Sequence, residues 1–293
     1  MHVQAQRGFA LIGPGRAGSA IAIALQSRGW RPVAVAGRSA DAPSTRRAAE
    51  LLGAEPRDVA DAGRGAELVV IATPDAAIAD TAAAVACGVE PGALVLHLSG
   101  ACTLDELDKL RVERADVEVG SLHPLQSLPD AEVGARRLAG SWCAVDGPES
   151  VDRLAVSLGM RPFRVDPAQR AEYHAAATVA SNHLVALVGQ ATRIAADAGV
   201  PAGALWPLIR STLENVEALG AESALTGPVA RGDVDTVLRH LDAIAPDERA
   251  AYAALATAAL ALTGRDDPEM ADALATAFAR SAGALPVEPG ASR

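Results

Sequence analysis

Phe9-Ala10-Leu11-Ile12-Gly13-Pro14-Gly15-Arg16-Ala17-Gly18 is the stretch that decides the fold: an apolar run enters three glycines spaced Gly-x-Gly-x-x-Gly. Ser19-Ala20-Ile21-Ala22-Ile23-Ala24-Leu25 continues it as a helix, Gly29 closes the helix, and Pro32-Val33-Ala34-Val35-Ala36 supplies a second strand. A strand, turn, helix and strand within about 30 residues form the βαβ unit of a dinucleotide-binding corner. The first glycine permits the tight turn, the second lets a pyrophosphate approach the backbone, and the third lets helix pack on strand. Pro14, Arg16 and Ala17 complete the loop, whose free N–H groups and positive helix end face the phosphates. The plainer alternative is a buried turn that binds nothing.

The second strand ends in Gly37-Arg38-Ser39, with no Asp or Glu to accept hydrogen bonds from a ribose 2′-hydroxyl. Arg38 offers a planar cationic fork and Ser39 a hydroxyl, both suited to a 2′-phosphate, so the pattern favours NADP over NAD. Arg16 supplies a second positive charge near the phosphates. The alternative for Arg16 and Arg38 is a solvated surface position.

A chain of 293 residues exceeds the comfortable size of one core, which predicts two domains. Half of the residues are hydrophobic but only 3% aromatic, a balance that predicts helix-rich packing with closely approaching backbones. A net charge of −10 argues against nucleic acid or an anionic membrane as partner. Cys87, Cys102 and Cys143 are odd in number and lack metal-ligand spacing, so neither a disulfide framework nor a metal site is indicated. Free thiols and an N-terminus too polar for a signal peptide predict a cytoplasmic protein. Residues 173–192 contain no Asp, Glu, Lys or Arg, yet His174, Ser181, Asn182, His183 and Gln190 make them too polar for a membrane span.

Short apolar runs at 68–72 and 93–98 read as doubly covered parallel strands flanking a helix over 75–86. Further strands are expected from 116 into 121–124, at 141–145 and at 162–165, with a helix near 149–158. Past Pro167 helical signals take over: 169–198, stopped by Gly199 and Pro201, then 204–219, 233–244, 247–262 and 268–280. Asp233 and Asp267 read as N-caps, with Pro268 at the first helical position after the second. The predicted class is α/β, a Rossmann-type doubly wound, mostly parallel sheet followed by an all-α C-terminal domain. Its parts are 1–167 for the dinucleotide, 168–281 for substrate and dimerisation, and a loose tail over 282–293.

Ligands of open α/β sheets lie beyond the carboxyl ends of the strands, which selects Thr73-Pro74-Asp75, Ser99-Gly100-Ala101 and His123-Pro124. An oxidoreductase needs a group to exchange the alcohol proton while hydride moves, and histidine suits the task near neutrality. His123, fixed by Pro124, is the first candidate, with Ser99 orienting the substrate oxygen or the imidazole; a turn hydroxyl that caps backbone is the other reading of Ser99. His97 reads as a core histidine bonded to backbone. At 100° per residue His174, Thr178, Ser181, Asn182 and Val185 share one stripe of the long helix, with His183 almost opposite His174. Polar groups on such a helix need partners, either a substrate cleft or an interhelical or intersubunit contact. Leu225 to Asp233 brings Arg231, a tight turn and a helix start together, suited to a carboxylate or simply to joining two helices. Lys109, on a charged helix, is the only lysine, which disfavours mechanisms that need an active-site lysine.

Gly13 to Gly18, His97-Leu98-Ser99-Gly100-Ala101, Ser121 to Ser127, Tyr173 to Asn182 and Leu225 to Asp233 together resemble an uncharacterised bacterial family. That family joins a Rossmann-like NADP-binding domain to a helical domain of unknown function. The resemblance implies wider kinship with 6-phosphogluconate-dehydrogenase-like enzymes, including ketopantoate reductases, β-hydroxyacid dehydrogenases and prephenate dehydrogenases. In the first two of those enzymes a Lys and an Asn one turn apart handle the substrate; Asn182 matches the Asn, but Thr178 stands where the Lys would be. Prephenate dehydrogenases are similar in using a His-Pro histidine assisted by a serine, as His123 and Ser99 would be, but Leu125-Gln126-Ser127 departs from their small-residue loop. The resemblance also implies a homodimer through the helical domain. The leading expectation is an NADP-dependent oxidoreductase acting on a small oxo or hydroxy acid, ketopantoate-like by kinship. His123, Ser99, Asn182 and His174 would work at the reacting oxygen and the carboxylate, and Thr178 and Arg231 would bind substrate. The rivals are a non-catalytic NADP-binding sensor and a dimerisation module on a degenerate Rossmann domain.

Overall fold

In the computed structural model, which describes residues 7–282, eight strands form one sheet. They are β1 (Gly8–Ile12), β2 (Arg31–Ala36), β3 (Glu55–Pro56), β4 (Leu68–Ile71), β5 (Leu94–His97), β6 (Glu118–Pro124), β7 (Trp142–Asp146) and β8 (Arg161–Arg164). Their order is β3-β2-β1-β4-β5-β6-β7-β8, and every neighbouring pair is parallel except β6 and β7. The strand order reverses between β1 and β4, so the crevice where such sheets bind ligands opens at the carboxyl ends of those two strands.

Seven helices accompany the sheet: α1 (Arg16–Ser27), α2 (Pro43–Leu52), α3 (Val59–Ala62), α4 (Ile78–Val85), α5 (Asp108–Glu113), α6 (Ala131–Leu138) and α7 (Glu149–Ser157). Both faces of the sheet are covered, and the strands alternate between two cores. Phe9, Leu11, Leu68, Val70, Leu94 and Leu96 enter one core with Ile21, Leu52, Leu138 and Leu154. Ala10, Ile12, Val69, Ile71 and Val95 enter the other with Ala62, Ile78, Val85 and Leu110. This double burial is why β1, β4 and β5 read as unbroken apolar runs, each large side chain contributing ~1.5–3 kcal/mol relative to exposure.

α8 (Arg170–Thr178) follows β8, and a π-helical turn over Val179–His183 separates it from α9 (Leu184–Asp197). The uninterrupted helix expected over 169–198 is thus broken. Ser181 Oγ donates to the Ala177 carbonyl at 2.7 Å within the turn, a side-chain bond that competes with regular helical pairing. Contacts divide the chain between Asn182 and His183, whereas the sequence places the domain end at 167. The difference is α8, which is bonded into the sheet through Arg170 and Tyr173.

The second unit continues through α10 (Leu205–Leu219), α11 (Ala221–Ala224), α12 (Pro228–Arg231), α13 (Val234–Ala243), α14 (Arg249–Leu262) and α15 (Pro268–Ala282). Its core joins Val229, Val237, Leu241, Ala253, Leu260, Met270 and Leu274. Asp233 accepts from the Thr236 amide at 3.0 Å and Asp267 from the Met270 amide at 3.1 Å, so both act as N-caps. The tail read as loose lies outside the described residues beyond Ala282.

Candidate functional site

The glycine turn leaves β1 at the crevice, and its three glycines meet different surroundings. Gly13 has φ +91°, and a Cβ there would lie 2.6 Å from the Ala72 carbonyl, so turn and close approach both require glycine. A Cβ on Gly18 would lie 2.6 Å from the Gly13 oxygen and 2.7 Å from Ala72 Cβ, which fixes α1 against the turn. A Cβ on Gly15 would meet no protein atom within 4 Å. Glycine at that position serves no packing need of the protein; the open space beside it fits a phosphate approaching the backbone. Gly15 is also the N-cap of α1, whose first turn has neither a side-chain cap nor an acidic residue. Arg16 is exposed, and Ala17 packs partly against the core.

Arg38 and Ser39 are exposed just after β2. A Cβ on Gly37 would lie 2.3 Å from Thr45 Oγ1, so the chain runs close over α2 there. Asp58 accepts from the Ala40 amide at 3.1 Å. After β4, Thr73 Oγ1 is buried without a hydrogen-bond partner beside the glycine turn, and Pro74 is exposed.

β5 ends in His97, which is fully buried. Its Nδ1 accepts from the Ser99 amide at 3.2 Å, which leaves Nε2–H to donate to the Thr103 carbonyl at 3.3 Å. Burial, then the Arg170 charge, push its pKa down to about 4, so the ring is neutral at pH 7. Ser99 Oγ accepts from the amides of Ala101 and Cys102 at 3.2 and 3.0 Å. Ser99 therefore builds the turn, and the next residue meets the imidazole: a Cβ on Gly100 would lie 2.7–2.9 Å from Cε1, Nδ1 and Nε2 of His123. The His123 ring lies on the bare backbone of Gly100.

His123 is the penultimate residue of β6, and its Nδ1 is 2.7 Å from the Tyr173 hydroxyl. Its ring meets those of Tyr173 and His174 edge-on, with centroids 5.6 and 5.8 Å away. Phe163 of β8 packs edge-on against Tyr173 at 5.8 Å. Burial, followed by the neighbouring charges of His174 and Arg170, lowers the His123 pKa to about 4; burial raises that of Tyr173 to about 12. The couple is neutral at pH 7, a phenol beside an uncharged imidazole.

A cavity of about 660 Å³ opens over this couple, lined by His123, Tyr173, His174, Thr178, Ser181 and Asn182 together with the 124–127 segment. Of the residues expected at the site, His123, His174, Thr178 and Asn182 come together here. Ser99 does not line the cavity but lies at the turn beneath the imidazole, and Arg231 is an exposed residue of the second unit. Tyr173 was not singled out in the sequence; it sits inside a motif of the resemblance and is one of only two tyrosines, while Gly100, selected only as a neighbour of Ser99, proves to be the floor under the imidazole. A larger groove, about 730 Å³, lies at the opposite ends of the strands near Glu67, Gly92 and Glu118, away from the glycine turn and the imidazoles. Burial pushes the Cys143 thiol up to about 12, which leaves it unreactive. Among the described residues no His, Cys, Asp and Glu cluster could hold a metal, and no helix is long and apolar enough to cross a membrane.

Residues 2–124 match the model of the Rossmann-like domain, and residues 143–259 match that of DUF2520, a domain of unknown function. The two matches follow one another along the chain, the first over its N-terminal part and the second over most of the remainder. The DUF2520 match begins in β7 and thus includes α8, with Tyr173 and His174, as well as most of the second unit. No curated protein matches the sequence. Among solved structures, the chain is similar to a Bacteroides fragilis protein provisionally named as an NADP oxidoreductase, with TM-score 0.73 and 25% identity over 87% of this chain and 98% of that one. A Thermotoga maritima protein gives TM-score 0.59 at 23% identity, covering 94% and 98% of the two chains. A reductive aminase from Aspergillus terreus in complex with NADPH and ethyl-5-oxohexanoate gives TM-score 0.54 at 15% identity, covering 96% and 95%. The last two likenesses speak for the fold.

Proposed function

We propose that the protein is an NADP-dependent oxidoreductase that transfers hydride between the nicotinamide and a small oxo or hydroxy acid. The observation that carries this reading is the glycine turn at the switch point, where Gly15 alone faces open space. Support comes from the name of the Bacteroides fragilis protein and from the His123–Tyr173 couple at the end of β6 in the same sheet.

In this reading the first-turn amides of α1 hold the pyrophosphate, and Arg38 with Ser39 holds the 2′-phosphate. The bound nicotinamide supplies or accepts the hydride. His123 keeps Nδ1 on Tyr173 and presents Nε2–H to the reacting oxygen; being neutral, in carbonyl reduction it passes the Nε2 proton to that oxygen as Nδ1 takes the Tyr173 hydroxyl proton, which solvent then restores. The Tyr173 hydroxyl, as the donor to Nδ1, keeps the imidazole proton on Nε2 in this reading. Asn182 and Thr178 orient the substrate, and His174 receives its carboxylate. Kinship alone favours a ketopantoate-like substrate.

The helical unit is proposed to pair with a second copy, as the family resemblance implies. α10 has no buried residue and leaves Trp206, Leu208 and Leu219 at least half exposed. Light scattering on the purified protein would give the dimer mass, and a monomer at micromolar concentration would refute the pairing.

The test of function is a panel of oxo acids offered with NADPH and followed at the nicotinamide absorbance. Turnover of one member, reduced about 100-fold or more in His123→Ala, is the expected result. Binding of NADPH with no turnover across the panel would instead favour the sensor, and full turnover by His123→Ala would remove that residue from the chemistry.

A further inference from the structure

Arg170 takes no part in the reading above, yet it is the largest side chain buried to less than 2% exposure among the described residues. Its guanidinium sits where the ends of β5 and β7 flank the middle of β6: Nη2 donates to Ser121 Oγ of β6 at 3.1 Å and to the Ser99 carbonyl just past β5 at 3.4 Å. Nη1 is 3.7 Å from the Asp146 carboxylate at the end of β7, too long for a hydrogen bond. Nε and Nη1 have no hydrogen-bond partner. A buried cation with two orphaned donors costs stability, so its position needs a reason other than stability.

We infer that Arg170 is the positioning residue of the cavity, its buried guanidinium pinning the first turn of α8 to the end of β5 and the middle of β6 and so holding Tyr173 against His123. The inference rests on the reading of His123 and Tyr173 as the working couple. Arg170 is the first residue of α8, and Tyr173 and His174 lie three and four residues on, one helical turn later. Ser121, which accepts from Arg170, lies two residues before His123 on the same strand and so on the same face of β6. The carbonyl of Ser99 precedes Gly100, the residue under the imidazole. One guanidinium therefore bridges the floor, the strand and the helix that hold His123 Nδ1 2.7 Å from the Tyr173 hydroxyl. Both hydrogen bonds leave Nη2, the far end of the guanidinium, and a lysine nitrogen would carry the charge but end one bond short of that position.

The same cation acts on the titration of the rings. The groups around His123 are His97 at the end of β5, Asp75 after β4, Arg170 itself, and His174 with Tyr173 on α8; Cys102 and Asp146 complete the set around Arg170. Arg170 opposes protonation of both His97 and His123.

The test is a nitrogen-15 and proton NMR titration of the histidine side chains in the wild type, R170K, R170M and S121A, with circular dichroism as the check on folding. None of it depends on turnover or on a known substrate, so its failure is distinct from failure of the oxidoreductase reading. In the wild type His123 shows one fixed tautomer and stays neutral to about pH 4. R170M is expected to lose the fixed tautomer and to titrate His123 about one unit higher. R170K, which keeps the charge without the fork, loses the tautomer but keeps most of the depression. Should R170M fail to fold, S121A, which removes the shorter acceptor and leaves the guanidinium, is expected to loosen the same tautomer. Folded R170K and S121A with the wild-type His123 tautomer would overturn the inference, as would a folded R170M with unchanged titration.

Discussion

Replacing Gly100 with alanine tests whether the imidazole is held where the chemistry needs it. The new Cβ would sit 2.7, 2.8 and 2.9 Å from three ring atoms of His123, against about 3.5–4.0 Å for unstrained carbon contacts. Relief requires the ring to lift by about 1 Å. The ring is not free to do so, because its Nδ1 is tied to Tyr173 at 2.7 Å and its edge meets His174. A 1 Å lift stretches that hydrogen bond beyond its useful range, so overpacking of ~1–3 kcal/mol adds to a bond worth ~0.5–1.5 kcal/mol. The expected outcome is a drop of several degrees in the melting of the sheet unit, at about 2–4 °C per kcal/mol. Loss of the fixed His123 tautomer should accompany it in nitrogen-15 spectra, with turnover on any substrate found reduced about 100-fold. A Gly100→Ala protein that melts with the wild type and keeps the His123–Tyr173 bond would refute the reasoning.

Two further outcomes follow from the same structure. His97 titrates near 4 when folded and near 6.5 when unfolded, so between those values the unfolded chain binds more protons; stability should be flat above pH 6.5 and lose up to roughly 3 kcal/mol through His97 as pH drops to 4, with a loss of the same sign from His123, lowered to the same value. Urea midpoints that do not change between pH 7 and pH 4.5 would contradict the buried, neutral His97. Asp267→Ala removes the cap on the Met270 amide and should cost the second unit ~1 kcal/mol, whereas Asp267→Asn should recover it; equal melting of the two variants would refute the cap.

The glycine corner and the apolar strands were legible in the sequence because each reports a local constraint. Gly13 answers a positive φ, Gly18 a helix against a turn, and the runs at β4 and β5 a sheet buried on both faces. The shared stripe of His174, Thr178 and Asn182 was legible because three of its members recur at helical spacing, and all three line the cavity. What escaped were consequences of distant pairing. The His123–Tyr173 bond joins residues fifty positions apart, and Arg170 meets Ser121 across forty-nine. Two-residue β3 and four-residue α3 are too short to carry a period, and α2 and α6 hide apolar positions among arginines. The π-helical turn that divides 169–198 has no signature beyond Ser181 and Asn182, polar residues that the stripe already used. Ser99 illustrates the limit: a hydroxyl after a strand end reads alike whether it faces a substrate or caps a turn, and only the amides of Ala101 and Cys102 distinguish the two.

The claim on which the account turns is that the corner from Gly13 to Gly18 holds a dinucleotide, and calorimetric titration of NADPH into the wild type and Gly15→Ala tests it directly. The added methyl meets no protein atom, so Gly15→Ala should melt with the wild type, yet it occupies the space where the pyrophosphate would approach. Micromolar binding of NADPH by the wild type, stronger than that of NADH and weakened about 100-fold or more in Gly15→Ala, is the predicted result. No binding to the wild type, or equal binding by the two proteins, would contradict it.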